Sequence, residues 1–394
     1  MITDKKTADF IKKNHDKDVR MLALQAGRYP EIDMCTALEQ IEGLQTAKEK
    51  LPQWADTEGI HYPPRISMEQ CSSEATAQYK ASLTKGDRLT DLTGGFGIDC
   101  SYMSKNFAHA VYIERNHSLC EIAKHNFALL GLQHIEVING NSEELTASLP
   151  HSSWIFADPA RRNSTGGKVV ALDECEPDIV RLEETIMGRC ERAMIKCSPM
   201  LDITAVCRTL NNVAEVHVVA VNNECKELLL ILDKRERGEI ALHCADTRKD
   251  GTMLFSCPMG SGDDAIKYTA EIKNYLYEPN AAIQKAGCHA ALTKSYNIEK
   301  LHPNSHLYTS DCEVTGFPGR SFIVEDVCSF AKNDTKRMLK GIDKANVTVR
   351  NFPATVAELR KRFKIAEGGD IYIFATTLDN RFKVLIKCRK MRAV

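Results

Sequence analysis

Thr90-Asp-Leu-Thr-Gly-Gly-Phe-Gly-Ile-Asp99 is the stretch on which the reading of this 394-residue chain turns. Leu89 and Leu92 bring it in as a strand, Gly94, Gly95 and Gly97 bend the backbone sharply, and a helix-like segment follows. A strand that ends this way leaves first-turn N–H groups without partners inside the helix. Such groups suit an anionic or strongly polar ligand, because no side chain blocks the approach.

Outward from the turn, strands and helices alternate. Ala108 to Ile113 reads as a strand ending in Glu114; Ser118 and Glu121 then form a capping box, and Cys120, Ala123, Phe127 and Leu130 share one helical face. Ile135 to Ile138 is followed by Gly140 and Asn141, and Trp154 to Ala157 by Asp158 and Pro159. Ala193 to Cys197, Val216 to Val221 and Leu228 to Leu232 complete about seven strands. This order predicts an α/β fold, a doubly wound, mostly parallel Rossmann-like sheet whose ligands bind at the carboxyl ends of the strands. The polar punctuation falls at those ends.

Upstream, residues 1–62 read as a helical cap, with Met34, Leu38, Ile41 and Leu44 at helical spacing. Pro63 and Pro64 mark a linker, and Ser67 with Gln70 predicts a capping box for one helix running to about Leu83. Its Ser72, Ser73 and Thr76 either face solvent or wall the ligand. Downstream, the alternation stops near Glu239. Ile240 to Cys244 and Met253 to Ser256 have strand character, a helix is expected around Asp264 to Tyr277, and Pro279 to Leu292 reads as loop and helix. From Arg320 the order strand, helix, strand, helix, strand, strand predicts an α+β unit. The expected domains are 1–62, 63–238, 239–316 and 317–394.

A formal net charge of −1 gives no global electrostatic argument for nucleic acid, but residues 317–394 carry 17 Lys+Arg against 8 Asp+Glu, which sets the C-terminal part apart. Fifteen cysteines are scattered with no C-x-x-C pair, so neither a metal site nor a disulfide framework is expected, and a reducing cytoplasm is. A Lys- and Asp-rich beginning and the lack of a long apolar run predict no leader and no membrane partner.

Two cofactor classes compete for the glycine turn. A dinucleotide fingerprint needs a third glycine where Cys100 stands. Glu114 fits either class, since a carboxylate accepts two hydrogen bonds from a ribose diol. Asp158-Pro159 separates them, because hydride transfer has no use for it. The run Asp91 to Gly97, Glu114 and Asp158-Pro-Ala-Arg161 together resemble the successive motifs of class I S-adenosylmethionine-dependent methyltransferases over roughly residues 65 to 235. The resemblance implies S-adenosylmethionine as cofactor, its methionine part held by Asp91, Thr93, Gly94, Gly95 and Gly97, its ribose by Glu114 and its adenine amine by Asn141. It places Asp158 and Pro159 beside the methyl-transfer centre, with Asp158 as base or orienting acceptor.

Two departures from that pattern stand out. Thr93 replaces the family's usual first glycine, and Ala160 and Arg161 stand where nucleic-acid and amine methylating branches often have a second proline and a stacking aromatic. Methylation of an adenine amine is therefore not expected. Arg161 and Arg162 are instead candidates to hold a phosphate or carboxylate through paired donors, Arg161 lying closest to the reaction. Asn163 to Lys168 lacks the residues of a phosphate loop and reads as a mobile substrate loop. The acidic run Asp173 to Asp178 reads as a solvated loop before a helix.

Asn346 to Phe363 and Gly368 to Thr376 resemble the THUMP-like domain appended to a group of bacterial methyltransferases, and Leu276 to Gly287 resembles the ferredoxin-like module of that group. The THUMP class is associated with RNA, so the resemblance implies a tRNA or rRNA partner. On the predicted helix from Ala354, Val356, Leu359 and Phe363 turn inward, which leaves Arg360, Lys361, Arg362 and Lys364 toward solvent as substrate contacts, with Lys387, Arg389, Lys390 and Arg392 nearby. A small-molecule or protein methyltransferase, and an RNA-binding protein that keeps the fold without the reaction, remain as alternatives.

Overall fold

The computed structural model describes residues 4–161, 172–235, 238–260, 266–379 and 381–391, with Arg161 described by its backbone alone. The chain forms two compact units, one holding residues 1–221 and 226–238, the other 222–225 and 239–394.

The first unit opens with α1 (Lys5–Asn14), α2 (Val19–Leu24), α3 (Met34–Lys50) and α4 (Pro52–Ala55). Asp4, Asp18 and Asp33 cap the first three by accepting first-turn N–H groups. Phe10, Leu22, Ala37 and Ile41 form the core they share. The helix expected from Ser67 to Leu83 is two helices, α5 (Arg65–Gln70) and α6 (Glu74–Leu83). Ser67 and Gln70 lie inside α5, while Ser73, in extended backbone, caps α6 by accepting the Thr76 N–H at 3.3 Å. Three short polar or thiol side chains, Cys71 to Ser73, offer the backbone an alternative to the helical ladder, and the chain takes it.

The alternating part follows as β1 (Gly86–Asp91), α7 (Ile98–Met103), β2 (Phe107–Glu114), α8 (His117–Leu129), β3 (Ile135–Asn139), α9 (Ser142–Leu145), β4 (Ser152–Ala157), α10 (Ile179–Gly188), β5 (Cys190–Cys197), α11 (Ile203–Thr209), β6 (Val213–Val221) and β7 (Glu224–Asp233). The spatial order is β6-β7-β5-β4-β1-β2-β3. Pairs among β3, β2, β1, β4 and β5 are parallel, and β7 runs antiparallel to β5. Chain progression reverses between β1 and β4, which opens a crevice at their carboxyl ends. Leu89, Tyr112, Phe127, Trp154, Phe156 and Met194 fill the core beneath. The Ser118/Glu121 capping box does not form. Asn116 caps α8 by accepting from the N–H groups of Ser118 and Leu119, and Glu121 pairs with Lys124. Capping by Asn116 starts the helix at His117, which puts Ser118 inside the first turn.

The second unit begins with the antiparallel hairpin β8 (Ala241–Arg248) and β9 (Gly251–Pro258). Then come β10 (Tyr275–Pro279), α12 (Ala281–Ala286), α13 (His289–Tyr296), β11 (Glu299–Lys300), β12 (Tyr308–Ser310), β13 (Gly319–Ser329), α14 (Lys332–Met338), β14 (Asn346–Val349), α15 (Val356–Phe363), β15 (Ile371–Leu378) and β16 (Phe382–Lys390). One sheet, in the order β11-β12-β10-β13-β16-β15-β14, carries this whole part. The helix expected around Asp264 to Tyr277 is absent among the described residues. Its last three residues belong to β10, paired with β12 on one side and β13 on the other, with Leu276 and Tyr277 fully buried. Pairing on both edges overrides local preference there. No helix among the described residues is long and apolar enough to cross a membrane.

Candidate active site

A cavity of about 270 Å³ opens at the carboxyl ends of β1, β2 and β4, where the sequence places its polar punctuation. Asp91, Thr93, Gly94, Gly95, Gly97, Glu114, Asn141 and Asp158 all line it. Asp91 ends β1 in the interior, and its Oδ1 accepts the Thr93 N–H at 2.9 Å. Burial pushes the Asp91 carboxyl up to about 8, against the pull of that N–H.

The glycine turn is sterically committed. Gly95 and Gly97 hold φ values of +54° and +84°, and a Cβ on Gly94 would sit 2.2 Å from the Tyr112 ring. The turn is tied down by Gly94 N–H to Ile113 O and by Gly97 N–H to Gly94 O, both 2.8 Å. Glu114 ends β2 half-buried, with Oε2 accepting the Gly95 N–H at 2.9 Å and Oε1 the Asn116 N–H at 2.7 Å. Those two donors fix the carboxylate plane, and each oxygen retains a lone pair for a further donor. Asn141 caps α9 through its Oδ1. Thr93 Oγ1 accepts the Asp158 N–H at 2.6 Å and so joins the ends of β1 and β4.

Sequence reasoning missed the layer behind Asp158. Lys196 on β5, its side chain 12% exposed, places Nζ 2.6 Å from Asp158 Oδ2 and 3.7 Å from Asp99 Oδ2. Lys80 on α6, fully buried, places Nζ 3.2 Å from Asp99 Oδ1 and 2.6 Å from Glu227 Oε1. Ser72 donates to Asp99 Oδ2 at 2.7 Å and accepts from Lys80. Burial alone would raise the Asp99 carboxyl, yet Lys80 and Lys196 hold it below its ordinary value. Burial would likewise depress Lys196, but Asp158 and Asp99 raise it, so it is a cation. Burial raises Glu227 despite Lys80 beside it. One signal was available: a lysine in the apolar run Ala193 to Cys197 is rare in a core unless it is paired.

Of the three hydroxyls at the junction of α5 and α6, Ser72 lines the cavity, Ser73 caps α6, and Ser72 and Thr76 are both buried. Pro159 follows Asp158 without lining the cavity. Ala160–Arg161 pairs with Cys175–Glu176 in a two-residue ladder. The Arg161 side chain, Arg162 and the loop Asn163 to Lys168 lie outside the described residues. The acidic run is not a plain solvated loop: Cys175 is buried, Glu176 lines the cavity and pairs with Arg115 at 2.8 Å, and Asp178 caps α10.

The cavity wall carries the carboxyl groups of Asp91, Asp99, Glu114, Glu143, Asp158 and Glu176, against Arg115 as the basic residue among its described lining. Lys196 faces Asp99 and Asp158, Arg181 pairs with Glu143 and Arg115 with Glu176, and burial raises Asp91, whereas Glu114 is held by backbone N–H groups and keeps its charge for the ligand side of the turn. In the second unit, Arg360 is half-buried and paired with Glu367 at 2.9 Å rather than turned to solvent. Arg362 lies over the Phe330 ring at 4.1 Å, Lys361 is exposed, and Lys387 and Arg389 share Glu325.

Residues 275–318 match a ferredoxin-like domain family and residues 319–390 a THUMP-like one. A candidate methyltransferase of Porphyromonas gingivalis W83 is 33% identical over 100% of both chains, with a TM-score of 0.89. The chain is also similar in part to an rRNA methylase from Streptococcus thermophilus (16% identity, 40% of this chain and 93% of that one, TM-score 0.31) and to a candidate methyltransferase from Streptococcus mutans in complex with SAH (11%, 40% and 94%, TM-score 0.31). No curated protein matches the chain. Similarity to the Porphyromonas protein from end to end, with the THUMP-like match at its C-terminal end, shows that this chain belongs to the class I S-adenosylmethionine-dependent methyltransferases that carry a C-terminal THUMP-like domain.

Proposed function

We propose that this chain transfers a methyl group from S-adenosylmethionine to RNA, a tRNA or rRNA, recruited through its basic C-terminal domain. The observation that carries the enzyme reading is the convergence of the glycine turn, Glu114, Asn141 and Asp158 on one acidic cavity. Glu114 and the turn would hold the ribose and methionine parts of the cofactor, and Asn141 its adenine. When bound, S-adenosylmethionine supplies a methyl group that is already electrophilic.

The protein's own task is then alignment and the handling of one proton. Lys196 occupies Asp158 Oδ2, so that Oδ1 is the atom left to accept a hydrogen from the acceptor group. Thr93 fixes the backbone at Asp158, which keeps the acceptor atom in register with the turn. The RNA assignment is supported by the THUMP-like match over residues 319–390 and by the basic excess of residues 317–394.

A second reading, a small-molecule or protein substrate, is favoured by the cavity wall, where Arg115, the basic residue among the described lining, is already paired with Glu176 and so is not free for a phosphodiester. Incubation with methyl-labelled cofactor and fractionated RNA, protein and metabolites separates the two. Label in RNA supports the first, label elsewhere the second, and no calorimetric binding of S-adenosylmethionine to the folded protein removes both.

A further inference from the structure

The second unit bears a groove that the reaction does not use. It runs between the end of β13 and the start of β16, encloses about 680 Å³, and is lined by Val327, Ser329, Phe330, Arg381, Phe382 and Lys383. Phe382 is 61% exposed although its cross-strand neighbour Leu378 is buried. The lining also includes Phe330, whose ring packs edge-on against Phe352 at 4.9 Å and carries the Arg362 guanidinium. Arg381 and Lys383 flank Phe382 in sequence and both are exposed.

A lone exposed aromatic means little by itself. Here the exposed ring is flanked in sequence by two exposed cations, at a sheet end whose lining includes a second aromatic stacked by an arginine, in a segment with 17 basic residues against 8 acidic ones. Exposed aromatic faces interleaved with cations are what unpaired nucleotides bind: bases stack on the rings and phosphates meet the charges. An acidic protein would use the cations but not the flat ring, and an anionic membrane needs a broader apolar face than one phenyl group.

We propose that this groove takes a single-stranded stretch of RNA, with an unpaired base on Phe382 and the adjoining phosphates on Arg381 and Lys383. This rests on the RNA reading above and specifies where that RNA is gripped. Arg381 is itself paired with exposed Asp379, at 3.5 Å, a looser contact than the 2.9 Å that holds Arg360 to Glu367.

The test is fluorescence anisotropy on the full chain with a short labelled single-stranded oligoribonucleotide and, separately, its duplex. The single strand is expected to bind in preference, and Phe382→Ala to weaken it roughly tenfold or more, since one stacked base is worth about 1–3 kcal/mol. Phe382→Tyr keeps a stacking face and retains binding. Arg381→Gln with Lys383→Gln lowers affinity and flattens its salt dependence. Thermal melting verifies that these exposed substitutions leave the fold intact. If wild type binds and Phe382→Ala binds equally well, the groove is wrong while the RNA reading stands. Preference for anionic vesicles over the oligoribonucleotide overturns the proposal in favour of a membrane. Failure of wild type to bind any RNA at low salt overturns both.

Discussion

Lys196 Nζ lies 2.6 Å from Asp158 Oδ2, and the same ammonium lies 3.7 Å from Asp99. The acid at the end of β4 is thus one end of a chain of charges that passes through Lys196, Asp99 and Lys80 to Glu227.

Removing the ammonium with Lys196→Met unties the orientation of Asp158 without touching Glu114 or the glycine turn. Methyl transfer to the labelled fraction is expected to fall by on the order of a hundredfold, in line with loss of a positioned acid–base group. Calorimetric affinity for S-adenosylmethionine changes little, and Lys196→Arg restores part of the rate. Equal rates for wild type and Lys196→Met would mean that the pair serves folding alone.

Lys80 has no exposed side-chain surface and holds two carboxylates together. Lys80→Met leaves Glu227 buried without its ion-pair partner and Asp99 with Lys196 alone, and breaking such a pair costs about 3–5 kcal/mol. A urea midpoint lowered to match, with an unchanged slope, is the expected result. A double variant, Lys80→Met with Glu227→Leu, should recover much of the loss, because it removes an orphaned charge as well as the pair.

Asp91 gives the fold a particular pH dependence. Its folded value of about 8 lies above the ordinary 3.8, so its contribution to stability is complete below about pH 4 and is lost as the pH rises through about 8. The slope from this one group is at most about 1.4 kcal/mol per pH unit. Asp91→Asn keeps an oxygen for the Thr93 N–H and removes the titration. Its unfolding free energy, measured at several pH values, should fall less steeply than that of wild type across this window. Parallel curves would show that Asp91 is ionised in the folded protein.

Glu114 accepts from Gly95 and Asn116 on opposite oxygens. Glu114→Ala is expected to weaken S-adenosylmethionine binding by roughly 10- to 100-fold, the range for hydrogen bonds to a charged acceptor. Unchanged affinity by calorimetry would assign Glu114 to the turn rather than to the ligand.

The sheet was legible because its strands alternate with helices and its polar residues cluster at strand ends, where Asp91, Glu114, Asn141 and Asp158 all fall. Local competition hid the details. Two adjacent hydroxyl-bearing segments offered rival caps before α6, Asn116 rather than Ser118 caps α8, and β10 owes its conformation to partners on both sides that no local pattern announces. The charge chain was hidden for a different reason: Lys80 and Glu227 are 147 positions apart, and only the closed sheet makes them neighbours.

The hydroxyl of Thr93 spans to the backbone of Asp158. Glycine has no atom with which to make that span. The side chain is therefore a strut that makes the ligand turn and the end of β4 move as one piece. It carries the linkage of the two strands one step past their last backbone bond, Leu92 N–H to Phe156 O at 2.9 Å.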